Sequence, residues 1–240
     1  NGPYAVVLDA INHRLFVADT NNSRVLMFNL NASNALIDRA PDAVLGQANF
    51  TSYIPPTTPN ANSTNGPQGL TYDTTNNRLY VSDTANNRIL IFNVGTGAIT
   101  NGVAANFVLG QSTFTSNTAA TTQSIMRGPS QLTFDNTNNR LFVSDSTNNR
   151  VLIFDFTLNA LTNGMNAHYE LGQPSGTAFT TSAIAPTQSG MNNPQGIVFD
   201  GVNNRLFVSH LGYHRVFVYS TPPGVITNGA NAVAELGQPS

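Results

Sequence analysis

Residues able to carry acid–base or nucleophilic chemistry are scarce in this chain. It holds ten Asp, two Glu, four His and no Cys among 240 residues. General acid–base catalysis needs titratable groups of contrasting environment converging on one pocket. No Ser-His-Asp or paired-carboxylate spacing stands out. The absence of Cys removes disulfides, thiolate nucleophiles and Cys-type zinc sites, and leaves the redox compartment open. One acidic loop, Asp135-Asn136-Thr137-Asn138-Asn139, places oxygen ligands at alternate positions as a calcium loop does, but it lacks the turn Gly and the distal bidentate Glu. Its counterparts Asp9-Ala10-Ile11-Asn12-His13 and Asp200-Gly201-Val202-Asn203-Asn204 lose ligands as well. A plain hairpin turn is therefore the preferred reading of all three. No catalytic residue, metal ligand or cofactor is assigned, and no enzymatic activity is expected.

The charged residues instead fall on a template. Pro67-Gln68-Gly69-Leu70-Thr71-Tyr72-Asp73 recurs as 129–135, as 194–200 and, more loosely, as 3–9. Arginines follow in pairs ten apart: Arg14 and Arg24, Arg78 and Arg88, Arg140 and Arg150, Arg205 and Arg215. Asp19, Asp83 and Asp145 each precede the second arginine of a pair by five positions. Every copy closes on Leu-Gly-Gln, at Gln47, Gln111, Gln173 and Gln238, 44 positions after its Pro. The length variation lies between copies. In the Asp-(Thr/Ser)-x-Asn-x-Arg turn, Asp is expected to cap backbone N–H groups, Asn to take left-handed turn geometry, and Arg to lie across a neighbouring strand or blade.

A unit of constant length joined by variable connectors is the pattern of stacked supersecondary modules. The second unit predicts strands at 69–73, 78–83, 88–93 and 107–111, rich in Val, Ile, Leu, Phe and Tyr and punctuated by Asp, Asn, Thr and Gly. No stretch shows a 3.6-residue apolar period. Four antiparallel strands per unit predict an all-β β-propeller with four four-stranded blades in this chain, because radial stacking buries both faces of each small sheet. The blades fall at approximately 1–47, 65–111, 127–173 and 192–238. The pattern P-x-G-(L/I)-x-(F/Y)-D followed by R-L-(F/Y)-V-(S/A)-D-(T/S)-x-N-x-R-(V/I) resembles the NHL repeat family. The resemblance covers all four units and implies a β-propeller, most often six-bladed. This chain departs from it in carrying four units and longer connectors. Some propellers of this kind are lyases with a metal in the central channel, which leaves a metal-dependent lyase or hydrolase as a rival by fold analogy.

The fourth unit breaks the template. His210-Leu211-Gly212-Tyr213-His214-Arg215 stands where the others carry Asp-(Thr/Ser)-x-Asn-x-Arg. His210, Tyr213 and His214 are thus interaction candidates, with terminal-repeat drift as the plainer account. Strand alternation puts the inter-unit connectors and the second-to-third turns on one face, which makes it the decorated face. Asn21, Asn31, Asn49 and Asn62 head Asn-x-Ser/Thr sequons and are glycosylation candidates if the chain is exported.

Composition narrows the partners. A charged fraction of 9% with no Lys excludes a basic nucleic-acid footprint. The longest apolar runs are too short to span a bilayer. The chain opens at Asn1 without an initiator Met or an apolar leader, as a processed form or a window of a longer sequence would. Amide-rich, Lys-free surfaces suit an extracellular or cell-surface scaffold or interaction module. Its partners would be other copies of itself, or another surface protein or glycan. A subunit of a self-assembling ring or filament is the alternative.

Overall fold

The computed structural model describes residues 1–95, 97, 99–174 and 179–237. Gln238, the closing glutamine of the fourth copy, lies outside the described residues. Blade one comprises β1 (Pro3–Asp9), β2 (Arg14–Asp19), β3 (Arg24–Asn29) and β4 (Ala43–Leu45). Blade two comprises β5 (Pro67–Asp73), β6 (Arg78–Asp83), β7 (Arg88–Asn93) and β8 (Phe107–Leu109). Blade three has β9 (Pro129–Asp135), β10 (Arg140–Asp145), β11 (Arg150–Asp155) and β12 (Tyr169–Leu171). Blade four has β13 (Pro194–Asp200), β14 (Arg205–His210), β15 (Arg215–Ser220) and β16 (Ala234–Leu236). Each sheet is antiparallel in sequence order, and the inner strands β1, β5, β9 and β13 follow one another across the blades.

The turns explain the repeated Asn. Asn77, Asn139 and Asn204 close the first hairpin with φ of 52°, and Asn87 and Asn149 end the second-to-third 3₁₀ turn at 55° and 54°. Asn tolerates this left-handed region because its short side chain bonds locally. The first strands begin at Pro67 and its equivalents, ahead of the expected start, because each carries a register shift against the second strand. Gly69 sits in that shift. A Cβ there would lie 2.3 Å from the Ser130 carbonyl oxygen, so glycine lets blade three approach. The fourth strand ends at Leu109, short of the expected Gln111, because Gly110 turns away at φ 82°.

Alternation along each strand sends residues to opposite sheet faces, and three apolar cores result. The first joins Phe16, Val25 and Met27 of blade one to Leu70, Tyr72 and Phe92 of blade two. The second joins Tyr80, Ile89 and Ile91 to Leu132, Phe134 and Phe154. The third joins Phe142, Val151 and Ile153 to Leu206, Phe217 and Tyr219. Among the described residues, no core draws on blades one and four together. Val6 and Leu8 are 65% and 47% exposed, whereas their repeat equivalents Leu70 and Tyr72 are 6% and 4%. Val198 and Leu236 on blade four are 59% and 54% exposed. The series is open at both ends.

Candidate interaction site

The second-to-third turn of blades one to three builds the same triad, buried in blades two and three and half-buried in blade one. Arg24, Arg88 and Arg150 each donate from Nε to the Oδ2 of Asp19, Asp83 and Asp145, at 2.6, 2.6 and 2.8 Å. Asn22, Asn86 and Asn148 donate to the same oxygen at 3.0, 3.0 and 2.8 Å. The Asp residues do not cap the 3₁₀ turn, contrary to expectation. Asp83 and Asp145 instead accept the N–H of Asn65 and Arg127, eighteen residues back, at 2.6 and 2.7 Å, and the Asn1 nitrogen sits likewise on Asp19. Each Asp thus ties the start of its blade to the hairpin end. Burial pushes the Asp83 and Asp145 carboxyls above the usual carboxylate range, against the pull of Arg88 and Arg150.

The same arginines hold the connectors. Arg88 donates to the carbonyls of Asn60 and Ser63 at 3.0 and 2.9 Å and to that of Phe114. Arg150 reaches Thr122 and Ile125 at 2.7 and 3.1 Å, and the Glu170 carboxylate at 2.9 Å. Arg24 bonds the Phe50 carbonyl. The first arginines of the pairs work on the opposite face. Arg14 bonds Asp9 at 2.6 Å and the Val94 carbonyl of blade two at 2.5 Å. Arg140 bonds Asp135 at 2.6 Å and Thr221 of blade four at 2.8 Å. Arg78 lies over the Phe107 ring at 5.4 Å. Arg205 is exposed and, among the described residues, reaches across no blade. Blade four has no successor among the described residues for it to cross.

Blade four replaces Asp, Asn and Leu of the triad neighbourhood by His210, Tyr213 and Phe217. The Arg215 guanidinium carbon lies 4.1 Å from the Phe217 ring centre and 4.8 Å from that of Tyr213. The His210 ring meets Phe217 edge-on at 4.6 Å. His210 is 1% exposed, and among the described residues neither of its ring nitrogens has a partner; nor does the buried Nε of Arg215. Burial, with Arg215 adding to it, pushes the His210 imidazole down to about 4, so it is uncharged at neutral pH. Arg215 otherwise bonds the Thr187 carbonyl at 3.1 Å and, at longer reach, Glu235 at 3.4 Å and the Gly190 carbonyl at 3.5 Å. A cavity of about 380 Å³ adjoins the turn, bordered by Ser209, His210, His214, Arg215, Val216 and Leu236. His214 ends the turn in left-handed geometry at φ 54°. The structure therefore brings His210, Tyr213 and Arg215 together around Phe217, with His214 at the cavity rim.

The four sequon asparagines are exposed and lie on or beside blade one and its connector. Asn31 and Asn49 organise local turns through Oδ1, and Asn62 donates from Nδ2 to the Gly102 carbonyl at 2.5 Å. The Asp135 loop uses its oxygens internally. Asp135 accepts the Thr137 and Asn138 N–H groups, and Asn136 accepts from Thr74 of blade two.

Two features escaped sequence reasoning. Phe217 stands where the other blades carry Leu26, Leu90 and Leu152, and that exchange reads as ordinary core. Thr20, Thr84 and Ser146 donate to the carbonyl of Pro67, Pro129 and Pro194 in the next blade, at 2.6, 2.7 and 2.5 Å. The invariant hydroxyl after each Asp was the available signal, and exposed Leu211 replaces it in blade four.

Residues 64–92, which hold β5, β6 and most of β7, match the family model of the NHL repeat. No curated protein matches the chain. Among solved structures, one chain of a crystal structure of a nidogen/laminin complex superposes with a TM-score of 0.56 at 14% identity. The match covers 97% of this chain and 63% of that one, so this chain spans less than two thirds of its neighbour's length. At that identity the likeness is one of fold, a β-propeller.

Proposed function

We propose that the chain is a non-enzymatic protein interaction module of NHL-type blades, acting outside the cell or on its surface. The observation that carries this reading is the contrast between the turns. In blades one to three the Asp–Asn–Arg triads are internally bonded and hold the fold, whereas the blade-four turn offers a stacked Tyr213–Arg215 pair beside a cavity on the connector face. Tyr and Arg are the side chains that anchor protein interfaces. The superposed neighbour is itself part of a protein–protein complex, and the sequon asparagines are exposed, as glycosylation of an exported chain requires. The test is a saturable isotherm between the immobilised chain and a secreted protein of its source. Tyr213→Asp should abolish it and Arg39→Ala should leave it intact. A turnover reaction lost on changing one side chain would overturn the module reading.

The open sheet faces favour a second reading, self-assembly. The exposed Val6 and Leu8 face of blade one corresponds to the Leu70 and Tyr72 face that blade two packs on blade one, and the exposed blade-four face corresponds to the blade-one side of that same contact. A head-to-tail contact between copies would repeat the internal interface, closing into a ring or extending as a filament according to its rotation.

A further inference from the structure

We propose that blade four binds a carboxylate, presented by an Asp or Glu side chain of a partner protein, at the place that Asp19, Asp83 and Asp145 occupy in the other blades. The proposal rests on the interaction-module reading and names the chemistry that would recognise the partner. Backbone register puts His210 opposite Arg215 as it puts Asp83 opposite Arg88 and Asp145 opposite Arg150. The backbone around the site is therefore shared, and the arginine lacks the anion that its counterparts bond through Nε.

The geometry around Arg215 accommodates that anion. The guanidinium lies over the rings of Phe217 and Tyr213, and its buried Nε, the edge that meets an Asp in the other blades, has no acceptor among the described residues. An Arg–carboxylate bond of this kind is planar and charge-assisted. Glu235 does not compete for it. It approaches NH1, as Glu170 approaches NH1 of Arg150, and Arg150 holds Glu170 and Asp145 together. In blade three the arginine at this position thus carries two carboxylates. His210 supplies the second half of the site. An uncharged imidazole that turns about its Cα–Cβ bond toward the cavity can donate its N–H to the second carboxylate oxygen. Val216 and Leu236 at the cavity border fit the hydrocarbon stem of an acidic side chain better than a fully hydrated ion.

The test follows the Arg215 Nε–H and His210 ring resonances by NMR during titration with acetyl-Gly-Glu-Gly-amide, its Gln counterpart and sodium acetate. The Glu peptide should shift both resonances saturably, with the Gln peptide and acetate about tenfold weaker or more. His210→Asp, which restores a carboxylate from within the chain, should weaken Glu-peptide binding by a similar factor with no fall in the thermal midpoint. Arg215→Lys, which keeps the charge and removes Nε, should do the same to binding. Equal affinity for Glu and Gln peptides, resonances that stay still at millimolar peptide, or undiminished binding by His210→Asp would overturn the site. Acetate as tight as the Glu peptide would overturn the partner side chain in favour of a free carboxylate. Still resonances together with retained binding of a secreted protein would remove this site and leave the module reading standing.

Discussion

Arg215 stacks on Phe217 at 4.1 Å where its counterpart Arg150 bonds Asp145 at 2.8 Å. The exchange is concerted. Loss of the carboxylate goes with two aromatic rings that attract the cation through their faces, so blade four keeps its arginine half-buried by another interaction and has a different surface as a result.

Truncating a triad arginine should cost far more than truncating an arginine outside the template. Arg88→Ala and Arg150→Ala each leave a buried carboxylate without its cation and take a donor from several connector carbonyls, a loss of about 3 to 5 kcal/mol. Arg39 is exposed, and Arg39→Ala should stay within about 0.5 kcal/mol. Thermal unfolding of the three variants decides it, and coincident midpoints would contradict the structural role.

The blade-to-blade hydroxyl link should be measurable by itself. Thr84→Val removes the donor to the Pro129 carbonyl at nearly constant volume, and about 1 to 2 kcal/mol should go with it. Urea unfolding is the measurement. An unchanged midpoint would show that this bond adds nothing to the packing of blades two and three.

Stability should fall in mildly acid solution through His210. Its folded-state value, about 4, lies below the ordinary 6.5 because burial and Arg215 disfavour the imidazolium. The unfolded chain therefore binds the proton more readily. The contribution is complete above about pH 6.5 and is lost as the pH falls toward 4, by about 2 to 3 kcal/mol. His210→Phe should flatten the stability profile across that window relative to the unaltered chain, and parallel profiles would refute the assignment.

If copies associate head to tail, Val6→Asp and Val198→Asp should each suppress association with the β-type circular dichroism intact, because each charges one of two different faces. Each variant retains the face that the other has lost. An equimolar mixture should therefore form dimers but nothing longer, as light scattering would show. A monomer at every concentration of the unaltered chain would eliminate self-assembly.

Much of the fold was legible because the repeat carries its own punctuation. Asp ends the first strand of every unit, Arg opens the second and third, and an Asn before five of these eight Arg marks the left-handed turn. What was not legible depended on distances through space. The main-chain partner of Asp83 is the N–H of Asn65, eighteen residues away, so local turn chemistry pointed to the wrong N–H. The stacking of Arg215 required Phe217, whose exchange for Leu changes no hydrophobic pattern. The departure at His210, Tyr213 and His214 was visible as a break in the template, but its unpartnered nitrogens were not.

The triad arginines reach mostly main-chain oxygens in the connectors: Asn60, Ser63 and Phe114 around Arg88, and Thr122 and Ile125 around Arg150. A carbonyl is the same whichever side chain follows it. The blades therefore constrain the path of each connector and hardly its letters. This face of the molecule can change sequence from one blade to the next, or from one relative to another, without loosening the framework beneath. Diversification of the connectors and preservation of the fold are, in this chain, separate matters.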